Sequence, residues 1–131
     1  MMKKKHGYVG WALPESDRSN LLAVFEPSHP DVVAHHVTLA FGVKEDYPLP
    51  TETTGRVVGI ADDAEMGIQA LVIEIGGTTE RSTDGKTYHI TWSLDYDLGA
   101  KAMMSNTLLT QQGFTAVSPI IINLIPQFFE S

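Results

Sequence analysis

Two tetrapeptides, His36-Val37-Thr38-Leu39 and His89-Ile90-Thr91-Trp92, share a pattern that constrains this chain more than any other. In a β-strand successive side chains point to opposite faces, so each His and its Thr look one way and the two apolar residues look the other. Each tetrapeptide is therefore a strand with one polar, reactive face. Two such strands side by side set two imidazoles and two hydroxyls around one cavity.

The flanking sequence supplies the elements these strands need. Tyr8 to Leu13 reads as an opening strand stopped by Pro14, and Pro14 to Asp17 starts a short helix carrying Leu21, Leu22 and Phe25, with Pro27 as its stop. Ser28 to Asp31 is a turn, Val32 to Gly42 is extended, and Lys44 to Thr54 is a loop. Arg56 to Ala61 and Gly67 to Ile75 form a hairpin across the acidic turn Asp62-Asp63-Ala64-Glu65. A polar run from Gly76 to Thr87 leads straight into the second motif strand, Tyr88 to Leu94; loops of this length in small domains are often functional. Asp97 is the expected N-cap of a helix from Leu98 to Gln112, closed by Gly113. Phe114 to Val117 and Ile120 to Ile125 are the last strands, interrupted by Pro119 and ended by Pro126. Each half of the chain thus holds one His-x-Thr strand and one helix, a rough repeat within an α+β pattern.

At 131 residues the chain fits one domain spanning 1–131 with a real core. Its 43% hydrophobic and 19% charged residues are those of an ordinary globular protein. No stretch approaches the ~20 apolar residues of a membrane span. Met1 to Lys5 resembles the basic start of a signal peptide, but His6, Gly7, Gly10, Pro14 and Glu15 interrupt any apolar region behind it. The expectation is a frayed start and a cytoplasmic protein. Cysteine is absent, which removes disulfides, thiolate zinc sites and a cysteine nucleophile. A net charge of −7 opposes binding of long nucleic acid, whose affinity rests on neutralising phosphates. A single small phosphate ester remains open, because salt screens distant charge beyond ~8 Å. Nothing in the sequence sets the oligomeric state.

Histidine, with an ordinary pKa of ~6.5, both takes and gives protons near neutrality. Across a phosphodiester, one of His36 and His89 can take a proton from the attacking water or hydroxyl while the other protonates the leaving oxygen. Thr38 and Thr91 can donate to the non-bridging oxygens, where transition-state charge gathers. The scheme needs no metal and no cofactor.

Further candidates accompany these four. Ser93 continues the reactive face by simple alternation and is either a phosphate contact or a satisfied strand serine. Tyr8 offers a hydroxyl donor; Trp11 offers a base-stacking surface or, the stronger reading, a core residue. Arg81 and Lys86 are the basic residues of the polar loop, either closing over a phosphate or lying idle in solvent. His35, next to His36, falls on the opposite face, and His29 belongs to a turn. A zinc site from His29, His35, His36 and His89 lacks the usual ligand spacings.

The paired motifs resemble those of the two-histidine (2H) phosphoesterases, whose members carry two His-x-Thr/Ser-x strands. Tyr8-Val9-Gly10, Phe41-Gly42 and Val72-Ile73-Glu74-Ile75 are similar to the segments flanking the motifs in that family. The resemblance implies a duplicated two-lobed α+β fold with central antiparallel sheets forming a cleft and helices outside. It also implies metal-independent cleavage of 2′,3′-cyclic phosphates, 2′-5′ linkages or cyclic oligonucleotides. The chain is shorter and more acidic than the RNA-processing members, which moves the expectation to a small nucleotide or cyclic-phosphate substrate. Compact phage-encoded members that destroy cyclic oligonucleotide immune signals have a similar size. The rival expectations are a nucleotide-binding module of the same fold without catalysis, and a metal-dependent hydrolase.

Overall fold

The structure, a computed structural model, describes residues 4–131. The expected frayed start concerns in part residues 1–3, which lie outside the described residues. Lys4 and Lys5 pair with Asp46 and Glu130. The elements in chain order are β1 (His6–Ala12), α1 (Glu15–Val24), β2 (Asp31–Val32), β3 (His36–Lys44), β4 (Thr54–Asp63), β5 (Ile68–Glu74), β6 (His89–Leu94), a 3-10 turn (Tyr96–Leu98), α2 (Met104–Gln112), β7 (Thr115–Asn123) and β8 (Ile125–Glu130).

The fold is mixed α+β, one antiparallel sheet curled into a half-barrel with two helices. The strands follow the order β7-β4-β5-β6-β3-β1-β8, and β2 also pairs with β6. The two motif strands, β3 and β6, are therefore neighbours near the middle. Behind them Val37, Ile90, Trp92, Trp11 and Leu71 pack with Leu21 of α1 into the main core. Burial of each such side chain contributes ~1.5–3 kcal/mol. On the other face Ile68, Val72 and Leu94 pack with Leu108 and Leu109 of α2. The reactive face of the motif strands lies on this second side, beside α2.

One bulge within each tetrapeptide interrupts its simple alternation. Along β1 and β3 the partners run Gly10 with Thr38, then Val9 with Ala40, then Tyr8 with Phe41, so Leu39 is an extra residue. After it the faces exchange, and Phe41 joins His36 and Thr38 instead of facing the core. Along β5 and β6 the partners run Ala70 with Thr91, then Gln69 with Ser93, which leaves Trp92 as the extra residue. At Gly10 an added Cβ would stand 2.0 Å from the Val37 carbonyl oxygen, so the close approach of β1 to the motif strand requires glycine.

Several expected boundaries move. The extended run from Val32 to Gly42 breaks at Ala34, whose φ is +47°, into β2 and β3. The long second helix is cut by Gly99 at φ +80°: Asp95 caps the short 3-10 turn, and α2 begins only at Met104. Pro119 and Pro126 do not end strands. Both lie in β7 and β8, the two edges of the sheet, where a missing N–H costs no ladder bond.

Candidate functional site

Val37 pairs with Ile90 in antiparallel register. Counting outward, His36 stands opposite Thr91 and Thr38 opposite His89, so each histidine faces the other motif's threonine. The two histidines are diagonal neighbours, a relation that sets residues ~7–8 Å apart on a regular ladder, within reach of long side chains.

Each imidazole is held through Nδ1. His89 Nδ1 lies 2.8 Å from the Thr87 carbonyl oxygen. A carbonyl only accepts, so Nδ1 carries the proton and Nε2 is left for the cavity. His36 Nδ1 lies 3.0 Å from Nδ1 of His35. His36 also packs against the rings of Tyr8 and Phe129, which stack on each other, with centroids 5.0 and 5.1 Å away. His35, expected on the opposite face, lies beside His36 because it precedes the first residue of β3 and follows the turn at Ala34. Burial, then the neighbouring His35 and His89, lowers the His36 pKa to about 4. Burial also lowers that of His89, which is 9% exposed, against the opposing pull of the Thr87 carbonyl. Both imidazoles are therefore neutral at pH 7 in the free protein.

The threonines differ in their surroundings. Thr91 Oγ1 lies 3.3 Å from the Ala102 carbonyl oxygen and 2.9 Å from the buried Ser105 hydroxyl of α2. Thr38 is buried, and its carbonyl oxygen accepts from Arg81 at 3.3 Å.

A cavity of about 340 Å³ opens over this face, lined by Tyr8, His36, Thr38, Phe41, His89 and Thr91 and, from the segment entering α2, Lys101, Ala102, Met103 and Asn106. Four expected catalytic residues and Tyr8 thus meet in one place. Burial raises the Tyr8 pKa, which keeps its phenol a hydroxyl donor. The lining residues that the sequence reading missed are Phe41 and those from Lys101 to Asn106. Simple alternation turns Phe41 to the core, so in the sequence it stands only as a residue flanking the motif. The Lys101 group was hidden inside an expected helix, and Gly99 was the signal that the helix breaks there.

Other expected contacts lie elsewhere. Trp11 pairs with Val37, so it shares the core face; it is buried, and its indole N–H donates to the Glu52 carbonyl at 2.9 Å. Ser93 is displaced from the reactive face by the bulge at Trp92; it is fully buried and bonded to Gln69 at 2.6 Å and to the His29 N–H at 3.2 Å. Arg81 is no free clamp. It is 2% exposed, forks onto Asp84 at 2.9 and 2.7 Å, and together with the Thr83 hydroxyl, which donates to the Leu39 carbonyl, ties the polar loop to β3. The polar loop is thereby docked on the sheet. Lys86 is exposed and lines an adjoining cavity rather than the histidine pocket.

Among the described residues no three His, Asp or Glu side chains gather in a metal-binding group. No helix is long and apolar enough to cross a membrane among those residues. No family model, curated protein or solved structure matches this chain.

Proposed function

We propose that the chain is a metal-independent phosphodiesterase of the two-histidine type, acting on a small nucleotide diester. Its two chain halves are read as duplicated lobes, each giving one His-x-Thr strand. The observation that carries the proposal is the Val37–Ile90 register, which sets His36, His89, Thr38 and Thr91 crosswise around one cavity. A core histidine needs none of this; acid–base cleavage of a phosphodiester without a metal uses all of it.

In the proposed reaction the diester phosphate lies between the imidazoles, with Thr38 and Thr91 donating to its non-bridging oxygens. For Thr91 to donate, its hydroxyl proton leaves the Ala102 carbonyl, and Ser105 supplies the hydrogen bond that holds Thr91 in place. The anion raises the pKa of the nearby histidines, so one proton enters with the substrate. That charge rests on His36, the less buried of the two. His89 Nε2 then takes the proton of the attacking water or ribose hydroxyl as its oxygen bonds to phosphorus. His36 Nε2–H gives its proton to the leaving oxygen as the second P–O bond breaks.

The test is incubation with 2′,3′-cyclic nucleotides, 2′-5′-linked dinucleotides and cyclic dinucleotides, with and without EDTA. Cleavage that EDTA leaves intact supports the proposal. Binding without product favours the non-catalytic module, and cleavage abolished by EDTA favours a metal-dependent hydrolase.

A further inference from the structure

A second cavity, of about 650 Å³, adjoins the histidine pocket, and Phe41, Met103 and Asn106 belong to the walls of both. Phe41 and Met103 are 56% and 69% exposed. Large apolar side chains standing in solvent between two cavities form a surface that a flat, apolar ligand group can cover. The second cavity adds Arg81, Asp84, Lys86, Met104 and Thr107.

Charge is segregated around this pair of cavities. Arg81, Lys86 and Lys101 line them, with Asp84 the one carboxylate among their lining residues, although the whole chain holds 16 acidic and 9 basic residues. Asp84 is taken up by Arg81. Lys101 therefore faces no carboxylate in the lining of the first cavity, and Arg81 and Lys86 outnumber Asp84 in the lining of the second. A local positive field in an acidic protein selects a small anion over a long polyanion.

The catalytic cavity alone stands near the lower end of the ~300–1,000 Å³ range of small-molecule sites. A nucleotide closed on itself as a 2′,3′-cyclic phosphate has its scissile phosphorus and its base in one compact unit and uses that cavity only. Phe41 and Met103 lead onward to space such a substrate leaves empty.

We infer that the second cavity is the subsite for a second nucleotide, so that the preferred substrate is a dinucleotide whose scissile phosphate lies between His36 and His89. One nucleoside passes across Phe41 and Met103, and its anionic or hydroxyl groups meet Lys86 and Thr107. The inference rests on the phosphodiesterase proposal and narrows its substrate class.

The experiment compares 2′,3′-cyclic mononucleotides with linear and cyclic dinucleotides in two measurements. In turnover, the dinucleotide kcat/KM exceeds that of the mononucleotide by about tenfold or more. In calorimetry with the His36→Ala protein, the dinucleotides bind tighter by a similar factor. Lys86→Glu and Thr107→Trp, both exposed changes at the second cavity, reduce that preference; the first removes the cation, the second fills the space. Equal affinity for both classes, a preference for the mononucleotide, or loss of both classes alike in these variants overturns the inference. If the wild-type protein cleaves neither class, the phosphodiesterase proposal fails, while the calorimetric ratio still decides whether the second cavity holds a nucleotide. The linear and cyclic arms separate the two sources of a dinucleotide.

Discussion

Val37 lies directly across from Ile90, and this one antiparallel pair sets the positions of the polar residues on either side of it. Had the register slipped by one residue, His89 and Thr91 of β6 would face the core around Trp11 instead of the cavity. The apolar residues of the motifs, of which Val37, Ile90 and Trp92 are fully buried and Leu39 partly buried in the core that holds Leu71 and Leu21, are therefore as much a part of the site as the imidazoles they aim.

The first expectation concerns the imidazoles themselves. His36→Ala and His89→Ala are expected to lower kcat by roughly 10²–10⁴-fold, equivalent to about 3–5 kcal/mol of barrier. Circular dichroism and thermal melts of both variants check that the fold is kept. Wild-type rates in both would remove the proposed mechanism.

The pH profile follows from the directions of the two shifts. Both histidines titrate below 6.5 in the free protein, His36 at about 4. A reaction that needs one of them charged and the other neutral is fastest below the ordinary histidine range, between the two titrations, and kcat/KM then falls as pH rises through neutrality. An optimum above pH 7 in kcat/KM contradicts this.

Stability carries the same signature with its own sign. Because the folded pKa of His36 lies below its unfolded value, the unfolded chain binds the proton first on acidification. Folding stability is full above pH 6.5 and declines as pH falls to about 4, by up to roughly 3 kcal/mol for this residue. Urea melts of His36→Gln across that window are expected to show a shallower decline than those of the wild type.

Gly10→Ala tests how β1 supports the motif. The new methyl meets the Val37 carbonyl oxygen, a backbone atom that moves only with the strand. A loss of ~1–3 kcal/mol is expected, together with lower turnover as Thr38 shifts. A melting temperature and rate equal to wild type would show that β3 absorbs the methyl without consequence.

Arg81→Lys tests the docked loop. Lysine keeps the charge but not the fork that spans Asp84 and the Thr38 carbonyl. Amide hydrogen exchange from Ser82 to Thr87 is expected to speed up, with a stability loss of ~1–3 kcal/mol. Unchanged exchange in this loop counts against Arg81 as its tether.

Local chemistry alone determined the strands that carry His36, Thr38, His89 and Thr91, because alternation of polar and apolar residues is a property of neighbours in the chain. It likewise determined α1, the Asp62–Glu65 hairpin and the polar loop. The tertiary structure decided which of the remaining candidates belong to the site. By local rules Pro119 and Pro126 break strands, yet their places on the sheet edges, invisible to any such rule, make them harmless. Above all, a bulge at Leu39 turned Phe41 into the cavity and a bulge at Trp92 turned Ser93 out of it. A bulge is a mismatch between two paired strands, so it is encoded in neither strand alone. It exists only once the partner's register is fixed by the packing of the whole core.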